Sequence, residues 1–288
     1  MDFTKCIYCG SDELEAVKDF SHAYLVKCRS CHFVFCKRIP TPEELTKHYT
    51  NYPRYTSLSP ITEKRYNELL DRLESFRNNN NLIDLGCSNG LFLDVAKKRG
   101  WNVYGTEYAQ ESIDHCAQKG IKVFKSDQLP PEFFELKFDV VTSFEVIEHI
   151  NTPNEEISFV KRILRPGGAF YVTTPNYNSI SRSLLKGKWN IVEYPEHLSY
   201  FTPATLNKLL LKHGFKKEFV STTGISFSRF KQSIGQTEES RTKNANTDEQ
   251  LRGKIEKNRL LSLAKAGMNF FLTTFKMGDA MKALYIRP

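Results

Sequence analysis

Four cysteines in two short pairs are the first residues whose types and spacing could do chemistry. Cys6 and Cys9 are followed by Gly10, and farther along come Cys28 and Cys31. Two thiolates two residues apart can reach one ion from a tight turn, and two such turns complete a tetrahedral four-cysteine site for zinc. Such a site leaves no position open for catalysis, so the expectation is structural Zn(2+) on Cys6, Cys9, Cys28 and Cys31. A redox role would suit a pair that opens a helix of a thioredoxin-like unit, and neither pair does. The other three of the seven cysteines, Cys36, Cys87 and Cys116, read as small core or loop residues.

The second pattern is Leu82-Ile83-Asp84-Leu85-Gly86-Cys87-Ser88-Asn89-Gly90. A strand that runs into a glycine-rich turn and then a helix lets the backbone approach a ligand closely where the strand ends. No Gly-Lys-Ser/Thr follows, which excludes a Walker A loop, and the glycine spacing is not Gly-x-Gly-x-x-Gly. About twenty residues on, Glu107 ends the second strand, where a carboxylate can accept both hydroxyls of a ribose. Asp127 follows the third strand with Gln128 and could face an adenine amino group.

With Phe138-Asp139-Val140-Val141 and Ser143-Phe144-Glu145 at the fourth strand, and Leu164-Arg165-Pro166-Gly167-Gly168 before the fifth, these residues resemble the class I S-adenosylmethionine-dependent methyltransferases. Ser88 stands where that family has the middle glycine of its first motif, a departure tolerated if the backbone there takes the glycine's geometry. The resemblance implies S-adenosyl-L-methionine as cofactor. Its methionine end would lie on Asp84, Gly86, Cys87, Ser88 and Gly90, its ribose on Glu107 and its adenine on Asp127 and Gln128, with Phe144 counted among the residues around it. The implied fold is α/β, a seven-stranded Rossmann-like sheet with a reversed last strand at Lys282 to Ile286, preceded by a small zinc ribbon.

Glu145-Val146-Ile147-Glu148-His149 looks like the Glu-x-x-Glu-His stretch of the ubiquinone-biosynthesis O-methyltransferases. A histidine beside the methyl donor could take a hydroxyl proton as the methyl arrives. The two carboxylates with His149 could instead hold a divalent ion, or Glu148 and His149 could only cap and orient the loop. A second candidate base is His197, in Tyr194-Pro195-Glu196-His197-Leu198-Ser199-Tyr200-Phe201-Thr202-Pro203, where Tyr200 and Phe201 could wall the acceptor. Candidate catalytic residues are therefore His149, His197 and Glu145. A four-cysteine ribbon, a tyrosine cluster and this core together also resemble a bacterial arrangement associated with sugar and envelope-polysaccharide biosynthesis. That implies a glycan or small-molecule acceptor, with Tyr52 and Tyr55 near the pocket mouth alongside Tyr200.

These side chains must be held by a chain of 288 residues, 40% hydrophobic and 26% charged, enough for real cores. The expected organisation is a ribbon over 1–40, a helical and aromatic linker over 41–80 and a methyltransferase domain over 81–288 with a helical insertion at about 230–278. Thr41 and Glu44 read as a capping box, and a helical pattern runs from about Thr62 to Phe76. Strands are expected at Leu82 to Leu85, Asn102 to Thr106, Lys122 to Lys125, Asp139 to Ser143, Ala169 to Thr174 and Phe215 to Ser228. Helices are expected near 91–99, 110–119, 154–164 and 203–213, an alternation that implies a parallel sheet covered on both faces.

The net charge is +8, but residues 1–60 carry eight Lys and Arg against seven Asp and Glu, and 61–228 carry twenty-one against twenty. The surplus lies in 229–288, with twelve against six. That argues against a nucleic-acid partner, which calls for basic residues around the site. A zinc-ribbon RNA methyltransferase and a non-catalytic binding protein of the same fold stand as the alternatives. Within the basic stretch, Leu260, Ala264, Gly267 or Met268, Phe271 and Phe275 recur at helical spacing among Arg252, Lys254, Lys257, Arg259 and Lys265. Residues 251–276 thus read as an amphipathic basic helix, a lid or a surface anchor for a membrane-borne, lipid-linked acceptor. No window has the length of a membrane span and the N-terminus lacks a signal peptide's apolar core, so a cytoplasmic location is expected.

Overall fold

The computed structural model describes residues 2–49, 57–225 and 258–288. Three short antiparallel strands come first: β1 (Leu14–Ala16), β2 (Leu25–Cys28) and β3 (Val34–Cys36). The main sheet follows with β4 (Asn81–Leu85), β5 (Asn102–Glu107), β6 (Lys122–Lys125), β7 (Phe138–Phe144) and β8 (Leu164–Pro175). After β9 (Ser199–Tyr200), it is completed by β10 (Lys216–Thr223) and β11 (Ala280–Ile286). The strand order is β6–β5–β4–β7–β8–β11–β10, with β11 antiparallel to both of its neighbours and the pairs from β6 to β8 parallel. This is the expected sheet, with the last strand inserted in reverse.

Apolar side chains point to both faces of the central strands, as a parallel sheet covered on both sides requires. Leu82 and Val140 pack on one face with α2 (Pro60–Leu73), α3 (Leu91–Lys98) and α4 (Gln110–Gln118), through Leu70, Leu73, Phe92, Leu93 and Cys116. Ile83 and Val141 pack on the other with α5 (Pro153–Ile163) and, beyond the short α6 (Ile180–Leu185), with α7 (Pro203–Lys212), through Ile157, Val160, Leu206 and Leu209. Tyr8, Phe33 and Phe35 of the N-terminal sheet belong to that second cluster. The core therefore runs without a break from the cysteine-bearing strands into the large sheet.

Local chemistry sets the helix starts. Thr41 and Glu44 exchange backbone-to-side-chain bonds of 2.9 and 3.2 Å at the head of α1 (Pro42–Tyr49), which is the capping box read from the sequence. The helix expected from Thr62 begins at Pro60, because Ser59 Oγ accepts from Thr62 N at 3.2 Å and proline suits the first turn; it gives way to a 3-10 turn at Glu74–Phe76. β8 starts at Leu164 rather than Ala169, taking in the Arg-Pro-Gly-Gly stretch with a register shift opposite Phe138. β10 ends at Thr223, where Gly224 turns with φ +74. Residues 226–257, which include the first part of the expected insertion at about 230–278, lie outside the described residues.

One strand pairing was not anticipated. The two-residue strand β9 leaves the main domain to pair with β3, so the N-terminal sheet is β1–β2–β3–β9. The insertion helix, α8 (Arg259–Thr274), starts at Asn258, whose Oδ1 accepts from Leu260 N and Leu261 N. Leu272 is its buried large side chain, whereas Leu260, Leu263, Met268, Phe270, Phe271 and Phe275 are exposed. The apolar stripe read from the spacing thus faces away from the domain. Among the described residues no helix is long and apolar enough to cross a membrane.

Candidate functional site

The glycine-rich turn after β4 is held from every side. Gly86 and Gly90 have φ of +67 and +68, and Ser88 takes φ 47, so the serine does adopt the left-handed backbone that a glycine would. A Cβ on Gly86 would lie 2.7 Å from Val146, and one on Gly90 would lie 2.8 Å from the Cys116 sulfur. Glu107 binds the turn from β5: Oε2 accepts from Ser88 N at 2.8 Å, and Oε1 accepts from Tyr108 N and Ala109 N at 2.8 and 3.0 Å. A carboxylate oxygen has two acceptor directions, so these bonds orient Glu107 without exhausting it.

Asp84, on β4 two residues before Gly86, is buried and its Oδ1 accepts from Thr142 Oγ1 at 2.7 Å. Burial pushes its carboxyl up to about 8, a shift that the Thr142 bond moderates and the nearby Glu107 adds to. Cys87 turns its sulfur toward Gly105, where a Cβ would sit 2.5 Å away, so its side chain packs beneath the turn. Phe144 is half-buried, its ring against Phe92 and Tyr66 at centroid distances of 4.9 and 5.8 Å. Asp127 and Gln128 are exposed in the turn after β6. Thr142, Val146 and Gly105 escaped the sequence reading because their contacts cross between strands. Tyr108, 67% exposed beside Glu107, could have been found as an aromatic adjoining the candidate ribose acid.

The second half of the site lies beyond β7. Glu145 is exposed with φ 53 at the strand's end, and a single 3-10 turn, Ile147–His149, follows it. The loop before β9 lies against this turn. Leu198 N donates to Glu148 O at 2.8 Å, Ser199 Oγ to Ile150 O at 2.6 Å, and the rings of His149 and His197 are 4.8 Å apart, edge to face. The structure thus brings both candidate histidines together. Burial holds His149 below the usual imidazole range, partly offset by the Glu196 carbonyl it bonds, so burial favours its neutral form.

Tyr200 is buried and donates its hydroxyl to His197 O at 2.9 Å, and Phe201 packs on Phe33. Both support the loop from within. The cause is β9, which carries this stretch into the N-terminal sheet. Tyr52 and Tyr55 lie outside the described residues. Residues of the N-terminal unit and of α1 grip the same loop. Glu44 accepts from the Tyr194 hydroxyl at 2.7 Å, Arg38 lies over the Tyr194 ring, and His48 Nε2 is 3.5 Å from Glu196. No motif contains His48; only the fold places it there.

The four cysteines also converge. The sulfurs of Cys6 and Cys31 are 3.6 Å apart, as are those of Cys9 and Cys28, and all four lie within 4.8 Å of one another. Zinc–sulfur bonds of about 2.3 Å in a tetrahedron put sulfurs about 3.8 Å apart, so the donor set fits zinc.

Comparison with known proteins adds to this geometry. A family model described as "Methyltransferase domain" matches residues 60–219. The ubiquinone biosynthesis O-methyltransferase of Cereibacter sphaeroides is 27% identical over 145 residues, 46% of this chain and 59% of that protein. The chain spans about six-tenths of the length of the curated relatives it matches. Among solved structures, an S-adenosylmethionine-dependent methyltransferase from Archaeoglobus fulgidus aligns with a TM-score of 0.52 at 17% identity, covering 78% of this chain and 93% of that one. Phosphoethanolamine N-methyltransferase 2 of Haemonchus contortus, solved with S-adenosyl-L-methionine, aligns with a TM-score of 0.54 at 17% identity, covering 88% and 62%. At these identities the structural likeness speaks for the fold.

Proposed function

The chain belongs to the methyltransferase-domain family, matched over residues 60–219, and from that premise we propose that it transfers the methyl group of S-adenosylmethionine to an oxygen of a small molecule or sugar precursor in the cytoplasm. One observation carries the reading. Val146 packs on Gly86, so the turn that bears Glu148 and His149 adjoins the candidate cofactor turn. A nucleophile beside the histidines is thereby close to a methyl donor on β4.

The sulfonium is already an activated leaving group, so the protein's work is alignment and proton removal. Asp84, the 86–90 turn, Glu107, Asp127 and Gln128 hold the cofactor. His149 or His197 takes the acceptor's hydroxyl proton as the new carbon–oxygen bond forms and the carbon–sulfur bond breaks. Zinc on Cys6, Cys9, Cys28 and Cys31 fastens the N-terminal strands, which in turn fix the His197 loop through β9. The exposed face of α8 meets a bilayer on which a lipid-linked acceptor resides.

Calorimetric titration with S-adenosylmethionine and its demethylated product, on protein of known zinc content, tests the cofactor. Transfer of a labelled methyl to hydroxylated sugars, phenols or RNA then tests the acceptor. Binding and transfer to a sugar or phenol, lost in His149→Gln or His197→Gln with cofactor binding intact, is the expected result. Transfer to RNA alone, or no cofactor binding by folded, zinc-loaded protein, overturns the reading.

A further inference from the structure

Two cysteines that stand 29 residues apart in sequence meet beneath the candidate cofactor turn. Cys87 lies in the turn itself and Cys116 near the end of α4, and they are 6% and 0% exposed. Neither belongs to the four-cysteine group. Both sulfurs reach the same acceptor, Ser88 O, at 3.7 Å from Cys87 and 3.3 Å from Cys116, and the two thiols hydrogen-bond with each other. Glycines make the room: a Cβ on Gly105 would lie 2.5 Å from the Cys87 sulfur, and one on Gly90 would lie 2.8 Å from that of Cys116. Ser88, whose carbonyl lies on both sulfurs, is exposed, so the pair sits just under the surface of the turn. The bond from Cys87 holds the Cys116 thiol below its ordinary range. Burial opposes that shift, and the Lys119 ammonium, whose Nζ donates to Asn89 O at 3.0 Å, adds to it. A thiol so placed is the more readily ionised, and the thiolate is the form that reacts.

We propose that Cys87 and Cys116 are a redox modification site, at which a hydroperoxide closes a reversible disulfide that weakens S-adenosylmethionine binding. The effect on the cofactor rests on the reading of the 86–90 turn as its seat, whereas the pairing of the cysteines does not. The Cys116 thiolate attacks one peroxide oxygen, the oxygen–oxygen bond breaks, and the departing hydroxide takes up a proton to leave as water. Cys87 then attacks the sulfenic sulfur, and the sulfur–oxygen bond breaks as the thiol proton leaves with hydroxide as a second water. Two thiols lose two electrons and the peroxide gains them. The new bond draws the sulfurs closer than two unbonded thiols can stand, so the turn must shift against α4. Ser88, whose N–H bonds Glu107 Oε2 at 2.8 Å, and Gly86, packed against Val146, shift with it. Disulfides that form in a reducing compartment are of this transient, sensing kind.

Peptide mapping tests the site and calorimetry tests its effect. Reduced, zinc-loaded protein is treated with hydrogen peroxide, blocked with an alkylating reagent and digested with trypsin. The expected product joins the peptide 78–97 to the peptide 100–119, which carry Cys87 and Cys116. The same oxidised protein should bind S-adenosylmethionine at least about tenfold more weakly, the worth of one hydrogen bond to a charged group, and dithiothreitol should restore the affinity. Cys116→Ala should bind the cofactor as the reduced wild type does and keep that affinity through peroxide treatment; Cys116→Ser repeats the test with the side-chain volume kept. Zinc content, read on every sample, separates the effect from oxidation of the four-cysteine centre. Linkage of either cysteine to that centre, irreversible oxidation without the Cys87–Cys116 link, unchanged affinity in the linked protein, or a loss that both variants share overturns the proposal. Reduced protein that binds no S-adenosylmethionine would sink the cofactor reading, and the linked peptides alone would then decide for or against the pair.

Discussion

Asp84 concentrates the chemistry of the candidate cofactor turn in one side chain. Its carboxyl is buried, bonded to Thr142 and pushed up to about 8, so the free protein keeps it protonated at neutral pH. A ligand bearing ammonium and sulfonium charges binds better to the carboxylate, and binding below pH 8 must therefore expel a proton. For a raised acid the sign is fixed: affinity climbs as pH rises toward 8, by at most about tenfold per unit, and then levels. Calorimetry at pH 6, 7 and 8 checks this, and Asp84→Asn should flatten the climb and separate it from the ligand's own amine. A wild-type slope equal to the variant's would refute the assignment. Asp139 makes the contrast. Burial alone would raise it, yet Arg165 and the amides of Asn78 and Asn80 bond its carboxylate and hold it below the usual range. Both acids were visible as motif letters in the sequence, but which one stays neutral depends on partners that only the fold supplies.

Among the elements, α8 departs most from the economy of a monomer surface. A helix packed on a domain edge buries its apolar stripe, whereas here Phe270 is 75% and Leu260 78% exposed, with Phe271 and Phe275 beside them. Its contacts with β10 run through Leu272, Thr273 and Asn269, as in the 2.7 Å bond from Thr222 Oγ1 to Leu272 O. Charge favours an anionic surface, because residues 229–288 hold twelve basic against six acidic side chains. Vesicles containing anionic lipid should therefore co-sediment the protein, more weakly as salt rises. Phe270→Ser with Phe271→Ser should cut binding by at least about 100-fold, given about 1.5–3 kcal/mol per aromatic side chain buried, with thermal stability unchanged. Equal binding to neutral lipid, or a dimer that the double substitution dissolves, would reassign the face. The helical period was legible in the sequence, but its direction was not, since periodicity identifies a stripe and leaves open what covers it.

Across the whole molecule, the middle of the sheet was legible because β4, β7 and the second half of β8 are largely apolar runs bounded by turns, and the candidate cofactor turn because glycines at φ above zero leave a mark in sequence. The joining of the N-terminal strands to the site was illegible, since it depends on two residues, Ser199 and Tyr200, too few to show a period. That junction makes the four-cysteine centre a structural partner of the distant histidines. Cys36 N donates to Leu198 O at 2.8 Å, Tyr200 pairs with Val34, and Phe33 lies 5.0 Å from Phe201 in a core shared with Ile83 and Val141. The 86–90 turn, by contrast, is built from β4, β5, β7 and α4 and owes the cysteines nothing. Stripping zinc with a strong chelator should therefore act unequally on the two halves. The melting temperature of the chain should fall by about 10 °C in a single transition, as losing a few kcal/mol does at this size. Turnover should fall at least about 100-fold as the His197 loop loses its strand, while S-adenosylmethionine affinity should stay within about threefold because its turn is untouched. Calorimetry, melting and methyl transfer on one chelated sample separate the outcomes. Retained turnover with a separate low-temperature transition would mean that the cysteine-bearing strands fold apart and leave the histidines in place without them.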